Sequence, residues 1–595
     1  MASASTSELH GSVELTANGI RWQMGPAFRD RLLAAEGLRL DDWLQSGRAR
    51  PVKQGPHRVV YRLELGGLTC YLKHNLLPDA RAWLRQLVRP SKARMEYERA
   101  FAVAARRVPT VVPLAVGERC DRSGPQESFL ITQGLEQTMP LDVFLTEHVR
   151  DARGPIRLLA AESLGRFLAR LHDAGVVHDD LHCGNILARH EPDGTLSFYL
   201  VDLQAVRLRA PLDWQASRDN LVLFNRWLYT RTNRADRLRF WKAYCLCRKH
   251  PAFDLVPADM PASLRTRERA RELERGSRAS NERFWRHRDR RCLETNRYYH
   301  PVRGHGVAGH VVSDLGGSAL RSFLADPDEP FRRAGVTLLK NSRSATVAEL
   351  SLPVAGQMRP VIYKRFRLTA WHDPLVNRLR RPAALRSWVF GHGLRERDLP
   401  TARPLLVLHR RRRGLLREGY LLCEKIPDAV ELHGFVASAE ARQQAIFRLR
   451  IEQLARLIRN MHWRHLCHRD LKASNILFRK PSQVGMAAEP TPSNTGVAPR
   501  APGPDPRSPF WLIDLVGVTR HRKVARLRRV QNLARLNASF HRDPSVTRSD
   551  RLRFLRVYLQ WGLRGKQGWK GWWRQLAEAT ERKVARNARN GRPLA

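Results

Sequence analysis

The sequence contains few cysteines, few lysines and no long apolar run. Its eight cysteines form no pair of CxxC motifs, so a zinc-knuckle site is not indicated and we expect reduced, mostly buried thiols. No run of about 18 apolar residues could span a bilayer. The first residues, MASASTSELHGS, lack the basic start and apolar core of a signal peptide. Together these absences favour a cytoplasmic protein that is not integral to a membrane.

Lysine supplies only 14 of the 105 basic residues, so arginine carries most of the net charge of +48. A charge of this size is typical of nucleic-acid-binding proteins, of proteins on anionic membranes and of enzymes with phosphate-bearing substrates. It also arises from a GC-rich genome without any functional demand. The basic residues are spread along the whole chain, and no DNA- or RNA-binding module is recognisable. Nucleic-acid binding is therefore the least favoured of these classes.

An internal repeat organises the chain. HDDLHCGNIL at 178–187 reappears as HRDLKASNIL at 468–477, with the His, Asp and Asn positions in register. A helix-like apolar pattern precedes each copy, and an apolar strand that ends in Asp follows it. Upstream, each half has one lysine in a strand-like segment, YLKHN and VIYKRF. The repeat predicts two tandem domains of one kind.

The domain boundaries follow from this repeat and from composition. We place a first domain at 1–255, a helical connector at 256–295 and a second domain at 296–595. Each domain is long enough to bury its own core. A segment rich in Pro, Gly, Ser and Ala interrupts the second domain at about 479–508, and we expect it to be disordered.

The repeated parts match the needs of phosphoryl transfer from ATP. That reaction needs a cation on the phosphates, a base beside the acceptor hydroxyl and oxygen ligands for Mg²⁺. Each half supplies these groups in the chain order of protein-kinase-like enzymes. The candidates are Lys73 and Lys364 for ATP, Asp180 and Asp470 as catalytic bases, and Asn185, Asp202, Asn475 and Asp514 for the metal. One copy alone would fit a capped turn equally well, but two complete sets in register favour the kinase fold.

These motifs resemble the lipopolysaccharide kinase (Kdo/WaaP) family within the protein-kinase-like superfold. The resemblance rests on the two decamers, on VDL and IDL after them, and on the repeated PT-x-x-PL and DRLRF segments. It implies an α+β fold in which each half has a β-rich N-lobe and a helical C-lobe. It also implies that ATP and Mg²⁺ are used to phosphorylate sugars of the lipopolysaccharide inner core, heptose or Kdo, at the cytoplasmic face.

The sequence departs from the kinase pattern where a Gly-rich loop would cover the phosphates. Neither half has a GxGxxG motif. The candidate segments are VKQGPHRVVYRL in the first half and LLKNSRSATVAEL in the second, where Lys340, Ser342 or Arg343 could contact phosphates. Nucleotide binding would then rest on these side chains and on backbone NH groups.

The helix carboxylate that pairs with the ATP-binding lysine also differs between the halves. The first half offers Glu96 or Glu98 for this role. The second half has Ser387 and Val389 at the aligned positions. We therefore expect its lysine to use another partner, such as Glu396.

The two decamers differ in the residues around the catalytic base. The second has Arg469 and Lys472, as protein kinases do, whereas the first has Asp179 and His182. An Asp in place of the Arg cannot bind an activation-loop phosphate, and the His is the variant seen in small-molecule and lipopolysaccharide kinases. His182 could reach the acceptor or only pack. We expect His178 to brace the loop.

Three functions remain open from the sequence. The first is an ATP-dependent kinase for a sugar hydroxyl of lipopolysaccharide core or a related glycolipid, with an anionic glycolipid or glycan as its partner. The second is a Ser/Thr protein kinase, and the third is a non-catalytic tandem pseudokinase scaffold. The Trp- and Arg-rich segment at 560–576 predicts either a peripheral contact with the inner membrane or the last helices of a C-lobe.

Overall fold

The structure is a computed structural model that describes residues 12–591 except 35, 56, 78–79, 123, 150–153, 255–260, 334–335, 370–379, 481–507 and 560–567. The chain divides into two compact units, Met1–Glu282 and Arg283–Ala595. This division falls inside the segment predicted as a connector, within the helix Ala262–Arg291. The predicted disordered segment lies almost entirely outside the described residues.

The first unit contains one large antiparallel sheet and several small ones. Its strands are β1 (Val13–Ala17), β2 (Ile20–Met24), β3 (Leu33–Ala34), β4 (Gly37–Leu38), β5 (Ala49–Gly55), β6 (Arg58–Leu65), β7 (Leu68–Leu76), β8 (Pro113–Asp121), β9 (Gly124–Gln133), β10 (Met139–Pro140), β11 (Val176–His178), β12 (Ile186–His190), β13 (Leu196–Leu200) and β14 (Val206–Leu208). The large sheet has the order β1-β2-β8-β9-β7-β6-β5. The small sheets are β10-β12-β13, β11-β14 and β3-β4.

The helices of the first unit lie partly between the strands of the large sheet and partly after it in the chain. They are α1 (Arg29–Leu32), α2 (Leu40–Gln45), α3 (Ala80–Val88), α4 (Lys92–Ala105), α5 (Leu141–Phe144), α6 (Pro155–Asp173), α7 (Trp214–Arg231) and α8 (Arg234–Cys247), and α9 (Ala262–Arg291) contains the division between the units. Helix α6 buries Leu164, Phe167, Leu168 and Leu171, whose spacing of three and four places them on one face. That face joins a core shared with residues of α7 and α8.

The second unit repeats this architecture. Its strands are β15 (Tyr299–Gly304), β16 (Val307–Val312), β17 (Thr337–Asn341), β18 (Ala345–Val354), β19 (Gln357–Arg367), β20 (Pro404–Arg412), β21 (Leu415–Glu424), β22 (Ala429–Glu431), β23 (Leu466–His468), β24 (Ile476–Arg479), β25 (Phe510–Leu512) and β26 (Val518–Arg520). The large sheet has the order β15-β16-β20-β21-β19-β18-β17, and the small sheets are β22-β24-β25 and β23-β26. Its helices are α10 (Gly317–Ala325), α11 (Ala383–Glu396), α12 (Leu432–Ala437), α13 (Ala439–Arg442), α14 (Gln444–Trp463), α15 (Arg526–Ala538), α16 (Arg548–Leu559) and α17 (Trp569–Arg589).

The alternation of side chains along a strand puts the two predicted ATP-binding lysines on the face of each sheet opposite its core. In β7, Leu72 points into the core of the large sheet, so the next residue, Lys73, faces the other side. In β19, Tyr363 is buried in the corresponding core and Lys364 faces away from it. Lys73 pairs in register with Leu130 of β9, and Lys364 with Leu421 of β21. The two lysines therefore occupy equivalent positions in the two sheets.

Each unit has separate cores for its β-rich and helical parts, in the chain order predicted. The predicted α+β class, with a β-rich N-lobe and a helical C-lobe in each half, is confirmed. All eight cysteines are free thiols, and four of them, Cys70, Cys183, Cys292 and Cys467, are buried. Among the described residues, none of the helices is both long enough and apolar enough to cross a membrane.

Candidate active site

The first half assembles a lysine and two carboxylates at one point. Lys73 Nζ lies 2.5 Å from Glu96 Oε1 and 3.5 Å from Asp202 Oδ1. Glu96 is buried on helix α4, whereas Glu98 on the same helix is exposed. Of the two carboxylates that the sequence offers, Glu96 is thus the one that contacts the lysine. These ion pairs hold the side chain of Lys73 next to the loop that carries Asp202.

Glu96 and Arg58 tie the Asp202 loop to the N-lobe. Glu96 Oε1 also accepts a hydrogen bond from the backbone N–H of Leu203, at 3.2 Å. Arg58, at the start of β6 in the candidate phosphate-covering hairpin, lies 3.4 Å from Asp202 Oδ1. Burial alone would raise the pKa of Asp202, but the charges of Lys73 and Arg58 outweigh it and hold the pKa below its ordinary value. The carboxylate is therefore ionised at neutral pH and available to a cation.

Asp202 and Asp514 share an uncommon backbone conformation. Their φ, ψ angles are 60°, 51° and 54°, 59°, in the left-handed region that few residues other than glycine adopt. Side chains held in this way cluster at functional sites, where the surrounding structure offsets the strain. Both Asp residues precede a short 3-10 turn, at the predicted metal-binding position of each half.

The motif loop of the first half brings its base and its metal-binding candidate together. Asn185 Nδ2 donates to the backbone oxygen of Asp180 at 2.9 Å, which leaves the amide oxygen of Asn185 as an acceptor. The N–H of Val201 donates to the carbonyl of Asn185 at 3.0 Å, and this links Asn185 to the residue before Asp202. The Asp180 side chain is 74% exposed, as a group that meets an external substrate would be.

His178 braces this loop as a neutral ring. Its Nδ1 accepts from the N–H of Asp180 at 3.2 Å, so the proton lies on Nε2, which donates to the carbonyl of Val201 at 3.3 Å. Burial lowers the pKa of His178. His468 repeats both contacts in the second half, with Asp470 at 3.3 Å and Ile513 at 3.0 Å.

A buried network behind the brace was not predicted. Asn220 of α7 donates to the carbonyl of His178 at 2.7 Å and accepts from His172 Nε2 at 3.2 Å. His172 Nδ1 bonds the hydroxyl of Tyr244 at 2.8 Å. In the second half Asn532, His462 and Tyr558 make the same side-chain contacts at 3.2 Å and 2.8 Å, and Asn532 Oδ1 accepts from the N–H of His468 at 3.1 Å. The sequence contained a signal for it, since DNLVLFN and QNLARLN recur at matching places.

The second half assembles a smaller set of charged groups around its lysine. Lys364 Nζ lies 2.8 Å from Asp514 Oδ1. Ser387, which is buried on α11, occupies the position of Glu96. The expectation that Glu396 would pair with the lysine is wrong, because Glu396 pairs with Arg288 at 3.8 Å. Glu396 lies nine residues beyond Ser387 on the same helix, which is roughly 13 Å along the axis.

The motif loop of the second half keeps the geometry of the first. Asn475 Nδ2 donates to the backbone oxygen of Asp470 at 2.8 Å and to its Oδ2 at 3.1 Å. The N–H of Ile513 donates to the carbonyl of Asn475 at 3.0 Å. Asp470 is exposed, and the charge of Lys364 holds the pKa of Asp514 below its ordinary value although burial opposes this.

The residues that distinguish the two motif loops lie at the surface or in turns. His182 Nδ1 accepts from the N–H of Gly184 at 3.0 Å, and its Nε2 lies 3.7 Å from Asp180 Oδ2. The ring is half-exposed, so it both caps the turn and lies next to the predicted base. Asp179 pairs with Arg207. Lys472 makes no side-chain cap of the turn that follows it.

The donor sets of both halves suit a magnesium ion. Asn185 with Asp202, and Asn475 with Asp514, supply amide and carboxylate oxygens, the ligands that Mg²⁺ prefers. Among the described residues, no group of three or more His, Cys, Asp and Glu side chains could hold a metal alone. An ion bound here would take its remaining ligands from phosphates and water, as is usual for Mg²⁺.

Comparison with known proteins assigns both halves of the chain to one family. The model of the lipopolysaccharide kinase (Kdo/WaaP) family matches residues 49–244 and 341–558, one segment in each half. The lipopolysaccharide core heptose(I) kinase WaaP of Pseudomonas aeruginosa is 31% identical over 159 residues, which are 26% of this chain and 59% of that protein. A solved structure, WaaP in complex with acyl carrier protein, aligns with a TM-score of 0.30 and 22% identity over 40% of this chain and 88% of that one. The chain belongs to the lipopolysaccharide kinase (Kdo/WaaP) family.

Proposed function

We propose, from this family membership, that the protein is an ATP-dependent kinase that phosphorylates a sugar hydroxyl of lipopolysaccharide core or of a related envelope glycolipid. We assign the reaction to the first half. The observation that carries this assignment is the contact of Lys73 with both Glu96 and Asp202, since phosphate binding in kinases requires an oriented lysine. The second half lacks the helix carboxylate, and this favours a non-catalytic role for it.

The residues of the first half would divide the reaction as follows. Lys73, oriented by Glu96, binds the phosphates of ATP. Asn185 and Asp202 hold Mg²⁺, which when bound offsets the charge of the phosphates. The acceptor oxygen forms a bond to the γ-phosphorus while the bond from that phosphorus to the ADP oxygen breaks. The hydroxyl proton passes to Asp180, whose position the Asn185 and His178 hydrogen bonds fix.

A matched pair of variants tests both the reaction and its assignment. We would measure ATP turnover with Mg²⁺, with and without extracted envelope glycolipid, in the wild type, Asp202→Asn and Asp514→Asn. Kinases of this fold turn over at roughly 1 to 100 per second with the right acceptor. We expect glycolipid-stimulated turnover to be lost in Asp202→Asn and kept in Asp514→Asn. The opposite pattern would transfer catalysis to the second half, and a folded wild type without turnover would favour the pseudokinase scaffold.

We further propose that the protein contacts the membrane surface through helix α3. Leu84, Leu87 and Val88 of this helix are 62%, 51% and 85% exposed. The sequence of α3, ARAWLRQLV, also contains two arginines, a composition that suits an interfacial helix on anionic lipid. By contrast, Trp572 and Trp573 of the predicted Trp-rich segment pack against the C-lobe core of the second half. Of the two interpretations of that segment, completion of the C-lobe is thus the better supported for these two residues.

Flotation with vesicles tests the membrane proposal. We expect the wild type to float with vesicles that contain anionic lipid and the double variant Leu84→Ser/Leu87→Ser to remain at the bottom. The control is Leu246→Ser/Leu264→Ser, which removes two exposed leucines elsewhere in the first unit. Equal flotation of both double variants would contradict a role for α3.

A further inference from the structure

The second half has a basic cavity beside its lysine. The cavity has a volume of about 420 Å³ and lies between the end of β19, the start of α11 and the residues after Asp514. Its walls carry five cationic side chains, Lys364, Arg367, Arg380, Arg381 and Arg386, and one carboxylate, Asp514. The described walls therefore have a large excess of positive charge.

Little in the described part of the protein compensates this charge. The one carboxylate, Asp514, is already paired with Lys364. Arg367 donates to the carbonyl of Ser342 at 2.8 Å, which is a neutral partner. Within the part of the chain that the structure describes, no carboxylate lies within salt-bridge distance of Arg380, Arg381 or Arg386.

Among these cations, Arg386 has the least favourable environment for its charge. Its Nε atom is buried and makes no hydrogen bond with the described residues. Burial, together with repulsion from Arg380 and Arg469, lowers the pKa of Arg386. A partly buried cation without a counter-charge is unfavourable, and a bound anion would remove that cost.

The first half differs at two of these cationic positions. Helices α4 and α11 have the same length, and their aligned positions place Met95 where the second half has Arg386. Likewise Leu76, the last residue of β7, aligns with Arg367, the last residue of β19. At these positions the second half thus has a serine in place of the helix carboxylate, and two arginines in place of apolar residues, around the equivalent lysine.

The planar guanidinium group binds phosphate oxygens in pairs, so several arginines around one cavity are typical of a phosphate site. We propose that this cavity binds a phosphate or pyrophosphate group directly through Arg386, Arg380 and Lys364, without a metal ion. The group would belong either to a free nucleotide or to a phosphorylated glycolipid. This inference goes beyond the kinase activity of the first half and does not depend on it.

Binding of pyrophosphate in EDTA tests the proposal in the full chain. Calorimetry should show binding by the wild type and a loss of about tenfold or more in affinity for Arg386→Gln. Arg417→Gln is the matched control, because it removes an exposed arginine of β21 that is not part of the cavity wall. Arg386→Lys should recover part of the affinity, since it keeps the charge but loses the paired hydrogen bonds.

A thermal readout guards against a folding defect. Because no carboxylate of the described residues pairs with Arg386, Arg386→Gln should unfold at the same or a higher temperature than the wild type when no ligand is present. Pyrophosphate should raise the unfolding temperature of the wild type but not of Arg386→Gln. The proposal is overturned if the wild type does not bind pyrophosphate, if Arg386→Gln binds it as well as the wild type, or if Arg417→Gln weakens binding equally.

Two competitors distinguish the source of the phosphate. ATP in EDTA and vesicles with extracted phosphorylated glycolipid would each be tested for displacement of pyrophosphate. Displacement by ATP alone identifies a nucleotide site, and displacement by the glycolipid identifies a site for the envelope substrate. Displacement by ATP only when Mg²⁺ is added would overturn metal-free binding. None of these outcomes depends on turnover, so they are separate from the test of the first half.

Discussion

The two halves keep nearly the same motif loop but differ around the lysine that would bind ATP. The brace from His178 and the brace from His468 agree within 0.3 Å at each hydrogen bond, and the Asn-to-Asp contacts agree within 0.1 Å. Lys73 has two carboxylate partners, whereas Lys364 has one and faces a basic cavity. The geometry of the motif loop therefore follows from the fold that both halves share, and it does not distinguish them. From the surroundings of the two lysines we expect the first half to position a nucleotide with its metal.

Replacement of the predicted catalytic base should give the largest difference in kcat between variants of the two halves. We expect Asp180→Asn to lower kcat by about 10²- to 10⁴-fold, because the amide cannot accept the hydroxyl proton. Asp470→Asn should change kcat less than twofold. Nucleotide affinity should be unchanged in both, since neither side chain contacts its lysine. Steady-state kinetics with extracted glycolipid measures kcat and the KM for ATP. An equal fall in kcat in the two variants would mean that both halves catalyse the reaction.

Conversion of the first half to the pattern of the second should have the next largest effect. Glu96→Ser removes the carboxylate that orients Lys73 and that accepts from Leu203. We expect kcat/KM for ATP to fall about 10- to 100-fold, since a buried charge pair loses one partner. Ser387→Ala, at the aligned position, should leave it unchanged. A small effect of Glu96→Ser would show that Lys73 needs only Asp202, as Lys364 needs only Asp514.

The buried Asn–His–Tyr network should affect stability alike in both halves. Asn220→Ala removes the partner of the His178 carbonyl and of His172 Nε2, at a cost of about 1 to 3 kcal/mol for each buried group. Asn532→Ala should destabilise the second half similarly. Urea-dependent thiol labelling of Cys183 and Cys467, both buried, reports the halves separately in one chain. Arg218→Ala on helix α7 is the control, and a matching loss in that variant would contradict the assignment.

Sequence reasoning located most of the candidate site because the repeat supplied an internal alignment. Lysines are scarce, so their recurrence at Lys73 and Lys364 was informative, and the structure places each beside the predicted Asp. Arg58 and Arg386 were missed because an additional arginine carries almost no signal in an arginine-rich chain. The expectation for Glu396 fails because the nine residues between Ser387 and Glu396 place Glu396 roughly 13 Å farther along the helix axis, too far to replace Glu96.

The smallest expected difference between the halves is in how acid affects their stability. Buried histidines stay neutral in the folded state, and burial lowers the pKa of His172 to about 3 and that of His462 and His409 to about 4. Unfolded histidine titrates near 6.5, so below about pH 6.5 the unfolded state binds more protons and the folded state loses stability. Above that pH the penalty is absent. Each group contributes up to about 1.4 kcal/mol per pH unit between its two pKa values.

The second half should therefore be the more acid-sensitive. Among the described residues, its deeply buried histidines with a lowered pKa are His392, His409, His462 and His468, against His172 and His178 in the first half. The raised pKa of Glu396, caused by burial, offsets part of this difference because the folded state then binds that proton first. Thiol labelling in urea at pH 7.5 and pH 5 should show a larger stability loss at Cys467 than at Cys183. Equal losses would mean that the additional buried histidines do not lower the stability of the second half in acid.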